Sequence, residues 1–236
     1  FNQILESEFN KSSQKEIKPK EAFDKLKRSF ITYYKKDVAI EKTPHHLHYI
    51  SRILENYPDS KFIVTVRDPY DFMLSYKFQG SQRGEKTRSV FEKIYHPISC
   101  SLVWKKNYKI IQNLKDNTQF LIIDTAELRK KDTAERIIKF LGIERENIFI
   151  DKADNSSFSQ METMPKLERI DYFWMNIVAG KYIKLMRGEM LKSNANLFEI
   201  IFSSFKIPTV FFRFIRILKV GEGQSKIRYL LRYLKR

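Results

Sequence analysis

The sequence predicts an α/β fold in which a parallel β-sheet is flanked by helices. Two short apolar runs, Lys61–Val66 and Phe120–Ile123, are continuous enough to be strands covered on both faces. Segments with apolar residues at helical spacing lie before, between and after these runs. Strands connected by helical crossovers form parallel sheets with helices on both faces, which fixes the predicted fold class.

In the N-terminal quarter, apolar spacing predicts a first helix from Pro19 to Lys36. Val38–Ile40 is predicted to be a short buried strand that ends before Pro44. A second helix is predicted from Leu47 to Tyr57, because its apolar residues again recur every three or four positions.

The remaining elements follow the two apolar runs. A helix is predicted from Pro69 to about Phe78, and a longer helical region reaches Leu114. A further helix covers Asp132–Leu141 with Ile137, Ile138, Phe140 and Leu141 inward, and Gly142 is placed to end it.

Composition narrows the function classes. The chain has 236 residues, of which 42% are hydrophobic and 31% charged, so it is predicted to fold rather than to be disordered. A net charge of +16 favours anionic partners. Cys100 is the single cysteine, which excludes an intrachain disulfide and favours a reducing, cytoplasmic location. No apolar run is long enough to span a membrane.

The C-terminal part of the chain differs from the rest, so we predict a main domain over 1–195 and a basic amphipathic helical tail over 196–236. Residues 206–236 contain nine Lys and Arg residues against Glu222 alone, interleaved with large apolar side chains. One interpretation is peripheral contact of 198–236 with the inner face of an anionic membrane. The alternative is a terminal helix packed on the domain with a solvated basic side.

The strongest candidate site follows the strand Phe62–Val66. That strand delivers Arg67 to the carboxyl edge of the sheet, where ligands of such folds bind. Pro69 begins a helix whose N-terminal N–H groups favour an anion, and Ser75 lies two turns further on. Together they predict a phosphate site without a glycine-rich loop. Alone, Arg-Asp-Pro equally fits a surface ion pair at an ordinary helix start.

Several short motifs, taken in their order along the chain, resemble those of the sulfotransferases that use 3′-phosphoadenosine-5′-phosphosulfate (PAPS). The resemblance is greatest to the carbohydrate (heparan-sulfate-type) and related bacterial branches. The resemblance covers roughly residues 37–150. It rests on Glu41-Lys42-Thr43-Pro44, Pro58-Asp59-Ser60-Lys61, Arg67-Asp68-Pro69, Ser75-Tyr76, Trp104 with Tyr108, and the end of the helix at Phe140-Leu141-Gly142-Ile143.

The resemblance implies a P-loop NTPase-like fold, PAPS as donor, 3′,5′-ADP (PAP) as product and no metal. It assigns Arg67 and Ser75 to the 3′-phosphate of the donor. It places Lys42 near the sulfuryl group, where a cation stabilises charge on the transferring group. The reaction implied is in-line transfer to a hydroxyl or amine, with a neutral or acidic glycan or glycolipid as the expected acceptor.

The chain departs from the family pattern at three points. Phe72 stands where a second arginine is common, and Ala126 stands at the usual acidic position, with Glu127 shifted by one. The 5′-phosphosulfate loop, its strand and the usual catalytic base do not occur in residues 1–236. We interpret this as N-terminal truncation, with the fragment alone inactive; the alternative is a pseudoenzyme.

Other residues are weaker candidates. Asn155, Ser157 and Lys166 fall where the family places a loop over the nucleotide, but an untethered polar loop is equally expected. His45 and Arg83 are candidates for acceptor binding; a solvated first turn and a solvated charge run are the alternatives. The rival functions are a basic module that binds nucleic acid or membranes without catalysis, and a P-loop kinase. Neither has a supporting motif, and no nucleic-acid partner is expected.

Overall fold

A computed structural model describes residues 19–35, 38–78, 95–128, 130–143 and 164–217. The chain divides into two units, an N-terminal unit Phe1–Ser60 and a C-terminal unit Lys61–Arg236. The described elements confirm the predicted mixture of α-helices with a parallel sheet. The predicted boundary at residue 195 stays a prediction.

The N-terminal unit is helical in its described residues. Helix α1 is Pro19–Tyr34, a 3-10 helix is Pro44–His48, and α2 is Ile50–Asn56. The Tyr57 hydroxyl, just after α2, donates to Asp24 Oδ1 at 2.9 Å. Its ring also contacts Phe23 edge-on, with 5.6 Å between centroids. These contacts join the end of α2 to α1.

The strand predicted at Val38–Ile40 is wrong, because residues 38–43 are described without regular secondary structure. The side chain of Ile40 is 76% exposed and that of Val38 is 48% exposed. Within the described residues no strand pairs with this run, so its backbone N–H and C=O groups form no hydrogen bonds of a β-sheet. Apolar character alone therefore does not make the run a strand. Consequently no strand carries Lys42 to a sheet edge.

The sheet lies in the C-terminal unit and consists, within the described residues, of β1 (Phe62–Val66) and β2 (Phe120–Asp124). The strands are parallel, with Phe62 opposite Phe120 and Val66 opposite Asp124. The two phenylalanine rings stack at 4.7 Å. The predicted parallel pairing is therefore confirmed, and the carboxyl ends of both strands lie side by side.

The described part of the C-terminal unit contains five helices besides this sheet. They are α3 (Pro69–Lys77), α4 (Pro97–Leu114), α5 (Lys131–Leu141), α6 (Arg169–Arg187) and α7 (Leu197–Ile217), and a 3-10 helix covers Thr125–Glu127. The core is formed by side chains of several elements with almost no exposed surface: Met73, Cys100, Ile123, Met175 and Ile183. The helices predicted at α3, α4 and α5 are confirmed.

Helix α5 ends as its sequence predicts. Gly142 is in the left-handed conformation (φ 71°), and its N–H donates to the Ile138 carbonyl. Lys61, at the start of β1, donates to the carbonyls of Phe140 and Leu141 at 2.8 and 3.1 Å. A cation on the last carbonyls of a helix stabilises its C-terminus, so Lys61 has a structural role here. The four side chains predicted inward are only half-buried, and Thr133 is the fully buried one.

Helix α6 was not predicted, although it forms much of the packing against α4. Its Asp171 is 1% exposed and accepts from Lys77 Nζ at 2.7 Å and from the Tyr95 hydroxyl at 2.6 Å. The backbone N–H of Glu168 donates to the same carboxylate at 2.8 Å, which completes a capping box. Burial raises the pKa of Tyr95 well above its usual range, and the Asp171 charge adds to the effect.

Helix α7 is attached to the unit through Ser203. His96 Nδ1 accepts from the Ile98 N–H, so Nε2 carries the proton and donates to the Ser203 carbonyl at 3.0 Å. Trp174 Nε1 donates to the Ser203 hydroxyl at 2.9 Å. Among the described residues, no helix combines the length and apolar character needed to span a bilayer.

The His96 contact makes stability depend on pH. Desolvation lowers the pKa of His96 below its ordinary value of 6.5, and Lys206 lowers it further, against the hydrogen bond to Ser203. Above pH 6.5 the imidazole is neutral in both states; below it the unfolded chain binds the proton first, so stability is lost. We expect the free energy of unfolding, measured by urea denaturation, to fall as the pH drops from 6.5 towards about 5, by at most about 1.4 kcal/mol per pH unit for one proton, and the urea midpoint to fall with it.

The control for this pH dependence is His96→Asn, which keeps an acceptor for the Ile98 N–H but does not titrate. Its urea midpoint is expected to change less over the same pH interval than that of the unmodified protein. An identical pH profile for the two proteins would assign the dependence to other groups.

Candidate functional site

The predicted site residue Arg67 leaves β1 at the carboxyl edge of the sheet. Its neighbour Val66 is paired with Asp124, so Arg67 lies beside the end of β2. Trp104 Nε1 donates to the Arg67 carbonyl at 3.0 Å, and the buried Trp104 ring stacks on Tyr108 at 4.9 Å. The backbone of Arg67 is thus held by α4.

Arg67 as a residue is half-buried. Within the described ranges, no side chain forms a hydrogen bond or an ion pair with its guanidinium. An arginine held at its backbone at the edge of a parallel sheet, with its fork not engaged by a described side chain, is suited to bind an external anion bidentately.

The N-terminus of α3 does not offer the free N–H groups that the sequence predicted. Asp68 is the N-cap, and its Oδ1 accepts from the N–H groups of Tyr70 and Asp71 at 2.9 and 3.2 Å. The N–H of Phe72 donates to the Asp68 carbonyl, and Pro69 has no N–H. The helix start is therefore satisfied by the protein's own carboxylate, and an anion at this site depends on side chains.

Arg187, the last residue of α6, is a member of this edge that sequence reasoning missed. Its guanidinium forms an ion pair with Asp68 and lies over the Tyr70 ring at 5.2 Å. Tyr70 is buried, donates to Asn176 Oδ1 at 2.7 Å and accepts from the Leu191 N–H at 3.0 Å. Arg187 neutralises the capping carboxylate, so Asp68 leaves less negative charge beside Arg67.

Asp71 connects Arg67 with Ser75. Desolvation raises the pKa of Asp71, with smaller increases from Asp68 and Asp124, whereas the charges of Arg67 and Arg187 lower it. Ser75 is half-buried and lies one turn after Asp71 on α3, where residues four apart share a face. Asp71 and Ser75 are thus neighbours on α3, and the charge of Arg67, which precedes the helix, acts on Asp71.

The other predicted site residues are either exposed or lie outside the described residues. Lys42, in the N-terminal unit, is exposed; its neighbour Glu41 pairs with His46 Nδ1 at 2.8 Å. Lys166 is exposed in the irregular segment before α6. Asn155, Ser157, Arg83 and the side chain of His45 lie outside the described residues.

The positions that depart from the expected motif have structural partners. Phe72 packs against Tyr76 with 5.8 Å between ring centroids. Glu127 pairs with Lys130 and Arg136, each at 3.3 Å, and its carbonyl accepts from the buried Thr133 hydroxyl. Both residues stabilise local structure, and neither resembles a reacting group.

The described residues support neither a reactive cysteine nor a metal site. Cys100 is 1% exposed, and burial raises the pKa of its thiol above the range of a reactive thiolate, as expected of a buried small hydrophobe. In the described parts of the chain, no group of three or more His, Cys, Asp or Glu residues is arranged to hold a metal ion.

Comparison with known proteins identifies a family. A family model described as "Sulfotransferase family" matches residues 3–147, which is more than half of the 236-residue chain. The matched span includes Lys42, Arg67 and Ser75 and ends before α6, so Arg187 lies beyond it. Neither a curated protein nor a solved structure matched the chain.

Proposed function

The chain belongs to the sulfotransferase family, and we propose that it moves a sulfuryl group from PAPS to a hydroxyl or amine of a saccharide or glycolipid. In that reaction the bond from sulfur to the bridging phosphate oxygen breaks, and a new bond from sulfur to the acceptor oxygen or nitrogen forms. PAP leaves, and the acceptor's proton passes to a base. The observation that carries the proposal is the position of Arg67 at the carboxyl edge of the sheet, with its backbone held by Trp104 and its guanidinium in no hydrogen bond or ion pair with a described side chain.

The proposed role of Arg67 is to bind the 3′-phosphate of the donor. Its backbone is fixed on one side by β1 and on the other by the hydrogen bond from Trp104. A preorganised arginine loses little conformational freedom when it binds phosphate, and two charge-assisted hydrogen bonds add geometric selectivity. Because Asp68 caps α3, this proposal assigns the phosphate to side chains and not to the helix N-terminus.

Ser75 is proposed to add a hydroxyl contact to the same phosphate. It lies on the turn of α3 that follows Asp71, whose pKa is raised by burial and by Asp68 against an opposing effect of the Arg67 charge. This proximity supports a shared ligand for Arg67 and Ser75. The Asp71 carboxylate opposes an anion there, so the guanidinium must supply most of the favourable interaction.

The remaining assignments rest on the family resemblance. Lys42 is proposed to stabilise charge on the sulfuryl group, and its exposed ammonium is available for such a contact. Arg83 and His45 are proposed to face the acceptor, and Asn155, Ser157 and Lys166 the nucleotide. A saccharide or glycolipid acceptor is consistent with a chain of net charge +16, which favours anionic partners.

The test is isothermal titration calorimetry of the full-length protein with PAP and, separately, with 5′-AMP, which lacks the 3′-phosphate. We expect PAP to bind at least about tenfold more tightly, because one charge-assisted phosphate contact contributes about 1.5–3 kcal/mol. Transfer of the sulfur label from radiolabelled PAPS to a glycan acceptor, with release of PAP, tests the chemistry. Equal affinity for the two nucleotides would contradict the proposed donor site.

A further inference from the structure

Helix α7 presents an apolar face to solvent. Phe198, Phe202, Phe205 and Phe212 recur at spacings of three, four and seven residues, which places them on one side of the helix, called here the aromatic face. The side chains of Phe198 and Phe205 are 75% and 76% exposed. Single exposed apolar residues are ordinary, but four phenylalanines on one helical face form a surface that needs a partner.

The opposite side of α7 is the one that contacts the domain. Ser203, which points away from the aromatic face in the helical repeat, is buried and binds His96 and Trp174. Its hydroxyl also donates to the Ile200 carbonyl. The attachment of α7 therefore leaves the aromatic face directed away from the helices that hold it.

A basic residue, Lys206, borders the aromatic face, with its ammonium 4.5 Å from the centroid of the Phe202 ring. The segment 206–236 contains nine basic residues against a single glutamate. Phenylalanines beside basic residues are the composition with which interfacial helices bind anionic lipid, since the rings enter the acyl boundary and the cations remain at the headgroups.

We propose that the aromatic face of α7 docks on the surface of an anionic lipid bilayer, with the helix lying in the plane of the interface. Charge complementarity selects this occupant, because a second copy of the chain would bring two strongly basic segments together. The proposal is independent of the identity of the sulfuryl donor.

The test is co-sedimentation of the full-length protein with vesicles of phosphatidylcholine alone and of phosphatidylcholine mixed with phosphatidylserine. We expect binding to the mixed vesicles that weakens as salt is raised, because the electrostatic part is screened. The triple variant Phe198→Ser, Phe202→Ser, Phe205→Ser is expected to bind at least about tenfold more weakly, since three rings no longer enter the interface.

The matched control replaces exposed apolar side chains elsewhere. Ile177 and Leu185 on α6 are 65% and 62% exposed, and the double variant Ile177→Ser, Leu185→Ser should bind vesicles like the unmodified protein. Circular dichroism confirms that each variant is folded. The proposal is overturned if neither vesicle binds, if both bind equally, or if the triple and control variants behave alike. It is also overturned if the triple variant alone converts a dimer to a monomer in gel filtration without vesicles.

Discussion

Replacement of Arg67 by alanine is expected to weaken PAP binding by about two orders of magnitude. The loss follows from removing two charge-assisted hydrogen bonds to one phosphate, each of which contributes about 1.5 kcal/mol or more. Trp104 binds the backbone carbonyl of Arg67, so that contact survives the substitution and the fold is expected to be retained. The measurement is isothermal titration of the full-length variant with PAP and with 5′-AMP.

Titration with 5′-AMP, which lacks the 3′-phosphate, shows whether the loss of affinity is specific to that phosphate. Arg67→Ala should bind 5′-AMP as the unmodified protein does, so that the preference for PAP disappears. Arg136→Ala is the control for the loss of an arginine, because Arg136 forms an ion pair with Glu127 and is assigned no nucleotide contact. Asp71→Asn should change affinity in the opposite direction by removing a negative charge near Arg67. A variant at Arg67 that still prefers PAP would remove this residue from the site.

Replacement of Asp171 by alanine is expected to lower the free energy of unfolding by about 3 kcal/mol. The carboxylate is almost fully buried and accepts from Lys77, Tyr95 and the Glu168 N–H. Lys77, whose side chain is only 15% exposed, would lose its 2.7 Å partner and keep only the exposed Glu168 carboxylate at 3.3 Å. Removing the buried partner of a charge costs more than an intact pair contributes, which makes this the largest stability effect that we expect.

Urea denaturation of two control variants separates the buried pair from ordinary ion pairs. Glu127→Ala also removes a carboxylate with two cationic partners, but those partners are exposed, so a loss below about 1 kcal/mol is expected. Asp171→Asn keeps an acceptor oxygen without the charge and should fall between the two. If Asp171→Ala is no less stable than Glu127→Ala at equal denaturant dependence, the cluster does not hold α6 in place.

The elements that the sequence predicted correctly are those with strong local signals. The runs that become β1 and β2 are rich in β-branched and other large apolar residues, and proline marks the starts of α3 and α4. Gly142 ends α5 because its left-handed conformation excludes most other residues. Each signal acts within a few residues and needs no partner elsewhere in the chain.

The predictions that failed depended on partners. Within the described residues no strand pairs with the apolar run Val38–Ile40, and the side chains of Val38 and Ile40 are exposed. Helix α6 was missed because apolar, aromatic and charged residues alternate through it, although its Glu-x-x-Asp capping box, Glu168 to Asp171, and Gly188 after its last residue were available as local signals. The N–H groups at the start of α3 were assigned to an external anion, although the capping carboxylate stands directly before the helix.

The sequence by itself determined the α/β class, the pairing of two parallel strands, the family and the residue that leaves β1 at the sheet edge. Tertiary structure alone decided that Arg187 neutralises Asp68, that Asp171 binds Lys77 and Tyr95, and that the aromatic face of α7 points away from Ser203. The physical reason is the separation along the chain over which each kind of interaction acts. Strand, turn and cap preferences act between neighbours in sequence, whereas charge pairing and burial join residues separated by about a hundred positions, such as Asp68 and Arg187.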